Sequence, residues 1–307
     1  MSIVVIGSLN MDMVVRTSRA PSAGETLFGQ EFALSAGGKG ANQAVSAARL
    51  GGKVTMIGRV GKDTFGSELL EIMRQEGINI EHISVSEKQA TGVASIVLEE
   101  DGENRIIVVP GANIELTVED IQALESVISQ AKIVVMQLEM DLAMSEHAVA
   151  IAHKHGIPLI LNPAPARALK DEMLSQVTYL TPNETEAGIL SGITVDNLET
   201  AEKAARVLLQ KGVQNVIMTL GSKGALIVNH EGAKLVSGFK VKAIDTVAAG
   251  DSFNGAIAQQ LTLGKTLEEA VSFANAVGAL AVGKQGAIPS LPQLSEVEQF
   301  LKLQAVK

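Results

Sequence analysis

Six short runs rich in β-branched residues punctuate the chain: IVVIG (3–7), KVTMIG (53–58), KIVVMQL (132–138), IPLILN (157–162), VTYLTPN (177–183) and NVIMTLG (215–221). Between most of them lie stretches with helical periodicity, such as GANQAVSAARLG (40–51), FGSELLEIMRQEG (65–77), SEHAVAIAHKHG (145–156) and LETAEKAARVLLQKG (198–212). A strand that is apolar on both faces must be covered on both, and strands joined through helices run parallel. The alternation therefore predicts an α/β fold, a doubly wound, mainly parallel sheet with helices on both faces. With 307 residues and 46% hydrophobic content, one large core is affordable, and the expectation is a single domain over 1–307.

Three segments break the rhythm. MDMVVRTSRA (11–20), ETLFGQEFALSAGG (25–38) and the pair TGVASIVLEE (91–100) with NRIIVVPGAN (104–113), joined at Asp101-Gly102, read as strands without intervening helices. They predict a small antiparallel β lid inserted into the main domain, built from about 11–36 and 90–110. In VASIVL, Val93 and Val97 alternate with Ala94, Ile96 and Leu98, so both lid faces are apolar. One face would cover a site and the other would meet a partner subunit. GALIVNHEGAKLV (224–236) reads as a hairpin at the end of the main sheet.

Composition excludes several classes. The 25 basic and 34 acidic residues give a net charge of -9, and no basic patch interrupts the balance, so nucleic acid is an unfavourable partner. Without cysteine there are no disulfides, thiolate zinc sites or cysteine nucleophiles. The opening MSIVVIGSLN has no basic leader and reads as a first strand, and FANAVGALAVG (273–283) is too short and glycine-rich for a membrane span. A cytoplasmic protein without membrane contact is expected. His147, His153 and His155 lack the i, i+4 spacing of a shared metal face. GALAVGKQ (278–285) nearly fits a phosphate loop but ends in Gln285 where a hydroxyl is needed, and no G-x-G-x-x-G follows the first strand.

The informative polar residues stand near strand ends. In GSLNMD, Asn10 and Asp12 alternate by two just after the first strand, so both can face one ligand, or else serve as turn-forming residues. SAGGKGANQA (35–44) is a glycine turn opening a helix, with Lys39 and Asn42 as donors for a hydroxyl-rich molecule, or a β-to-α turn whose glycines serve geometry alone. Asn183 and Glu186 have the i, i+3 spacing of a capping box, which the sequence favours over a magnesium-water site. TLGSKG (219–224) could hold phosphates on backbone donors. AIDTVAAGDSFNGAIAQQL (243–261) sets Asp245 and Asp251 on either side of small residues that lead into a helix. By itself it leaves Asp251 as a cap, a metal ligand or a base.

In order along the chain, GSLNMD, GGKGANQA, GRVGKDTFG, TGVA, QLE, NPAPAR, TPNETEA, TLGSKG, DTVAAGDSFNGA and KQGAIPS resemble the motifs of the PfkB-type carbohydrate kinases nearly end to end. DTVAAGDSFNGA matches that family's carboxyl-terminal signature, and NPAPAR with GGKGANQA points to its ribose-phosphorylating branch. The resemblance implies ATP-dependent phosphorylation of D-ribose at O5. It makes Asp251 the general base and Ala248, Ala249 and Gly250 an anion hole. It assigns Asn10, Asp12, Gly38, Lys39, Asn42 and Glu139 to the sugar, with Asp251 touching the reacting hydroxyl. ATP would lie along Asn183, Thr219, Leu220, Gly221, Ser222, Lys223, Gly224, Gly250 and Asn275, with Glu186 ordering Mg2+ through water. An activating K+ would be held by Asp245, Val247, Ala281, Lys284, Gly286 and Ser290, several through main-chain oxygen only. A homodimer through the lid is also implied. Asn275 departs from the pattern, standing where a histidine often packs near adenine. Related kinases act on other sugars, including 2-deoxyribose, and a non-catalytic sugar-binding regulator on the same fold is the other alternative.

Overall fold

The structure is a computed structural model and describes residues 2–100 and 103–305. Its strands, in chain order, are β1 (Ile3–Ile6), β2 (Asn10–Thr17), β3 (Glu31–Gly37), β4 (Val54–Gly61), β5 (Asn79–Ser86), β6 (Gly92–Glu99) and β7 (Asn104–Val109). They continue with β8 (Ile133–Met136), β9 (Leu159–Leu161), β10 (Tyr179–Leu180), β11 (Asn215–Thr219), β12 (Gly224–Asn229) and β13 (Gly232–Ser237). Among the described residues the large sheet has nine strands in the order β13-β12-β11-β10-β9-β8-β1-β4-β5. All its pairings from β11 to β5 are parallel, and the β12–β13 hairpin adds the antiparallel edge.

The continuous apolar runs are buried on both faces, as their composition requires. Along β1, Ile3 and Val5 belong to one core with Val45, Phe253 and Ile257, whereas Val4 and Ile6 belong to the other with Val134, Met144 and Val149. The period-2 alternation of a strand thus feeds two helical layers. Strand order reverses at β1, which lies between β8 and β4. The chain ends leaving the carboxyl edge on the two sides of such a point diverge and open a crevice for ligands.

The lid is a four-stranded sheet, β3-β2-β6-β7. Its two outer pairings are antiparallel, and the central β2–β6 pairing is parallel. Both central strands leave the main sheet in the same sense, because the chain between them returns through β4 and β5. The turn expected at Asp101-Gly102 lies outside the described residues. The strand expected over 25–38 is shorter, Glu31–Gly37, with a loop before it that contains Pro21 and Gly24, the latter at φ 79°. Asn10 and Asp12 do not extend the first strand's end. They are the first and third residues of β2, and their alternation belongs to the lid.

Candidate active site

A cleft of about 780 Å³ lies between the lid and the carboxyl ends of the main strands, and Asn10, Asp12, Lys39, Asn42, Glu139 and Asp251 all line it. A second cavity of about 360 Å³ adjoins it, bordered by Thr219, Gly221, Ser222, Gly224 and Asn275. Gly250, Thr219 and Asn183 border both. Two ligands could therefore meet at Gly250, beside Asp251.

Each polar side chain is set by an identifiable local cause. The helix Lys39–Arg49 starts at Gly38, whose φ of 89° favours glycine and whose added Cβ would stand 2.8 Å from the Asn10 nitrogen. That close approach places Lys39 and Asn42, in the helix's first turn, against the cleft. Asn113 donates to Asn10 Oδ1 at 2.8 Å and to the Pro110 carbonyl, and accepts the Leu9 N–H, so Asn10 is held from behind. The Glu139 carboxylate accepts the Ser8 hydroxyl and the Lys39 backbone N–H at 3.2 Å. Arg167 donates to the carbonyls of Leu138 and Met140, on either side of Glu139.

Asp251 is 7% exposed in the first turn of the helix Ala249–Thr262. Its Oδ2 accepts from Asn42 Nδ2 and its Oδ1 from Gln43 Nε2, both at 2.9 Å. The helix begins at Ala248, a non-glycine residue in the left-handed region at φ 58°. This turn costs on the order of 1 kcal/mol or more, and Ala248 and Gly250 on it border the cleft. The Ala249 N–H closes on the Thr246 carbonyl at 3.3 Å, so in this conformation it turns back into the loop.

Charge is concentrated here. Burial, together with the carboxylates of Glu139 and Asp251, pushes Asp12 up to about 7 against the opposing pull of Lys39. The Asp251 carboxylate, with Glu139, Glu186 and Asp12, holds the Lys39 ammonium above its ordinary range despite burial. Burial also raises Glu186, opposed by the Asn183 N–H and Lys39.

The capping box is present: Glu186 N–H donates to Asn183 Oδ1 at 2.8 Å and Asn183 N–H to Glu186 Oε2 at 2.9 Å. Both residues nevertheless border the cleft, so a cap and a site coincide. In the Thr219 to Gly224 loop, Leu220 and Lys223 do not border either cavity; the Leu220 side chain is in the core. Asn275 Nδ2 donates to the carbonyls of Val236 and Ser237, at 3.0 and 3.2 Å, tying its helix to β13.

Asp245 is separated from Asp251. Its Oδ1 accepts the Val247 N–H at 3.0 Å and its Oδ2 the Gly286 N–H at 2.9 Å. The carboxylate thus joins the loop before the helix to the segment 284–290, where Lys284 N–H reaches the Ala281 carbonyl and Ser290 Oγ reaches that of Ala287. The Lys284 ammonium pairs with Glu296, at 2.7 Å. Both oxygens of the Asp245 carboxylate are thus engaged by backbone N–H groups, one from each segment. Among the described residues no group of three or more His, Cys, Asp or Glu could hold a metal ion.

Asn113, Asn162, Asn254 and Gln43 are among the buried polar residues to which sequence reasoning assigned no role; each is a carboxamide whose partners lie far along the chain.

This combination of sheet, lid and cleft matches known proteins over nearly the full length of the chain. The chain belongs to the pfkB family of carbohydrate kinases, whose model matches residues 1–294. Among individual relatives, a ribokinase of Schizosaccharomyces pombe is 44% identical over 312 residues, covering 98% of each chain. A deoxyribokinase of Salmonella typhi is 38% identical over 304 residues, covering 99% of each. The structure of Arabidopsis thaliana ribokinase complexed with ribose and ATP superposes with a TM-score of 0.91 at 32% identity, covering 98% of each chain.

Proposed function

We propose that the protein transfers the γ-phosphoryl group of ATP to O5 of D-ribose, giving ribose 5-phosphate and ADP. The observation that carries this is the position of Asp251: fixed by two carboxamides at a helix mouth, beside the glycine where two cavities meet. Ribose would occupy the larger cavity, bounded by Asn10, Asp12, Gly38, Lys39, Asn42 and Glu139. ATP would extend from it along Asn183, the Thr219 to Gly224 loop and Asn275. Asp251 takes the O5 proton as the O5–P bond forms and the bond from phosphorus to the β,γ-bridging oxygen breaks, its electron pair leaving with ADP. Gly250 and the first turn of the helix would face the transferred group, their N–H dipoles suited to its charge.

Mg2+ would be held by the nucleotide phosphates with Glu186 as a water-mediated neighbour, and would offset phosphate charge. K+ would be held by Asp245 and carbonyls of the Val247, Ala281, Lys284, Gly286 and Ser290 set, steadying the dipoles of the anion-hole loop. An ATP-consumption screen over pentoses, hexoses and nucleosides, with and without K+, tests both readings. Ribose is expected to give the largest kcat/KM and K+ to raise it; a larger value for 2-deoxyribose would move the protein to the deoxyribokinase reading, and indifference to K+ would remove the cation assignment.

Asp12 supplies a pH test. A carboxyl raised to about 7 is partly protonated at neutral pH. Sugar hydroxyls donating to it favour the anion, so ribose binding is expected to release a fraction of a proton at pH 7 and almost none at pH 9. Calorimetry in two buffers of different ionisation enthalpy reads this directly, and equal heats at pH 7 would refute it. The same shift has a defined sign for folding. Between the ordinary carboxyl value of 3.8 and about 7 the folded state binds the extra proton, so this group lowers apo-protein stability as pH rises through that window.

The lid faces support a homodimer. Asp12, Ala94, Ile96, Ile106 and Val108 line the cleft, leaving Phe32 (59% exposed), Ile107 (69%) and Val109 (54%) on the outer face. Two such faces packed together would cover this apolar patch. Sedimentation is expected to find a dimer, and a monomer at micromolar concentration would exclude this arrangement. The chain is read as one domain with an inserted lid, working in the cytoplasm; among the described residues no helix is long and apolar enough to cross a membrane.

A further inference from the structure

We propose that Gln43 is the positioning residue of the base: it commits Oδ1 of Asp251 to a fixed hydrogen bond and so makes Oδ2 the oxygen that receives the sugar's proton. This rests on the reading of Asp251 as the base. Gln43 is fully buried and does not line the cleft, so it acts through its neighbour and not on substrate.

The direction of each bond in this network follows from one backbone group. The Thr181 carbonyl can only accept, and Asn162 Nδ2 donates to it at 3.2 Å. Asn162 Oδ1 must then be the atom facing Gln43, and it accepts from Gln43 Nε2 at 3.1 Å. With Nε2 on that side, Gln43 Oε1 faces Gln137 and accepts from Gln137 Nε2 at 2.8 Å. The second N–H of Gln43 is left to donate to Asp251 Oδ1, at 2.9 Å. Both N–H groups and the carbonyl of Gln43 are used, so flipping the amide would set acceptor against acceptor and donor against donor.

Oδ2 has a less committed partner. Its donor, Asn42, lines the cleft, and Asn42 Oδ1 is buried without a hydrogen-bond partner. A sugar hydroxyl can complete Asn42, and the cleft-side edge of the carboxylate is then Oδ2. The same network reaches the phosphoryl side: Thr181 Oγ1 donates to Asn254 Oδ1 at 2.6 Å, and Asn254 Nδ2 donates to the Gly250 carbonyl at 2.8 Å. Base and helix mouth are therefore anchored to one rigid set of amides.

The test uses Gln43→Leu, which removes the donor, and Gln43→Met, which removes it while keeping the length and approximate volume of the side chain. Both are expected to lower kcat about 10- to 100-fold while the ribose Kd, by calorimetry, stays within about threefold. Introduced into Asp251→Asn, Gln43→Leu is expected to change the residual rate less than about twofold, because the residue acts only through the carboxylate. Wild-type kcat in either single variant would overturn the proposal, as would an equal loss in the Asp251→Asn background. If Gln43→Leu fails to fold, the Met variant of similar volume carries the measurement. Failure of the base assignment itself looks different: Asp251→Asn alone would then turn over at close to the wild-type rate.

Discussion

Asp251→Asn is expected to lower kcat by about 10²- to 10⁴-fold, the range for losing a general base, while ribose binding remains measurable. The substitution keeps the volume of a residue that is 7% exposed, so the neighbouring helix packing is retained. Its cost is confined to hydrogen bonding. Gln43 and Asn42 both donate to the carboxylate, and an Asn side chain can accept from one while presenting N–H to the other. Because the orientation of Gln43 is fixed, the amide oxygen should face Gln43 and its NH2 should displace Asn42 toward the cleft. That predicts a modest rise in the ribose Kd, below about tenfold, beside the far larger fall in kcat. Lys39 loses its largest source of favourable charge but keeps Glu139, Glu186 and Asp12. A single-turnover measurement with ribose and ATP isolates the chemical step, and an Asn variant within tenfold of wild type would remove Asp251 from the base role.

The large sheet was legible because its strands carry their own evidence. A run such as IVVI in β1, buried at every position, has no reading on a half-exposed sheet. The site was legible where a backbone constraint shows in the residue type, as at Gly38 before Lys39, or where acids stand at a helix start, as at Asp251. Boundaries were less so: β10 is two residues long, and Asn10 and Asp12 begin a lid strand, because pairing partners far along the chain decide where a short strand starts. The supporting amides were illegible for a related reason. Gln43 lies 208 residues from Asp251 and 94 from Gln137, and Thr181 lies 73 from Asn254. A lone amide on a helix has no local signature of such partners, and Gln43, directly after Asn42, reads no differently from a solvated polar residue. The two acids flanking the small-residue turn, Asp245 and Asp251, show what geometry adds. Asp245 bonds the backbone of two loops and Asp251 bonds two side chains, so one holds the loop and the other faces the cleft.

Gly250→Ala should separate stability from activity. A Cβ built at Gly250 meets no atom within 4 Å, and the residue does not need a positive φ, so alanine fits the folded helix. Glycine within a helix costs about 0.5–1 kcal/mol relative to alanine, and the variant should melt at the same temperature or a few degrees higher. Yet Gly250 borders both cavities, and its open side is the place where the transferring phosphoryl group must approach the backbone. A methyl group there should reduce kcat/KM by about 10²-fold or more, comparable to losing an oxyanion donor. Gly255, on the same helix, is the internal control with the opposite signature: its Cβ would lie 2.6 Å from the Gln43 carbonyl oxygen and from Ser46 Cβ. Gly255→Ala should push the helix away from Lys39–Arg49 and lower the melting temperature. If Gly250→Ala instead keeps its rate, the phosphoryl group does not approach at this turn; if it loses stability with its rate, the glycine serves the fold. Only a stable, slow variant is consistent with a glycine whose absent side chain is the space the reaction uses.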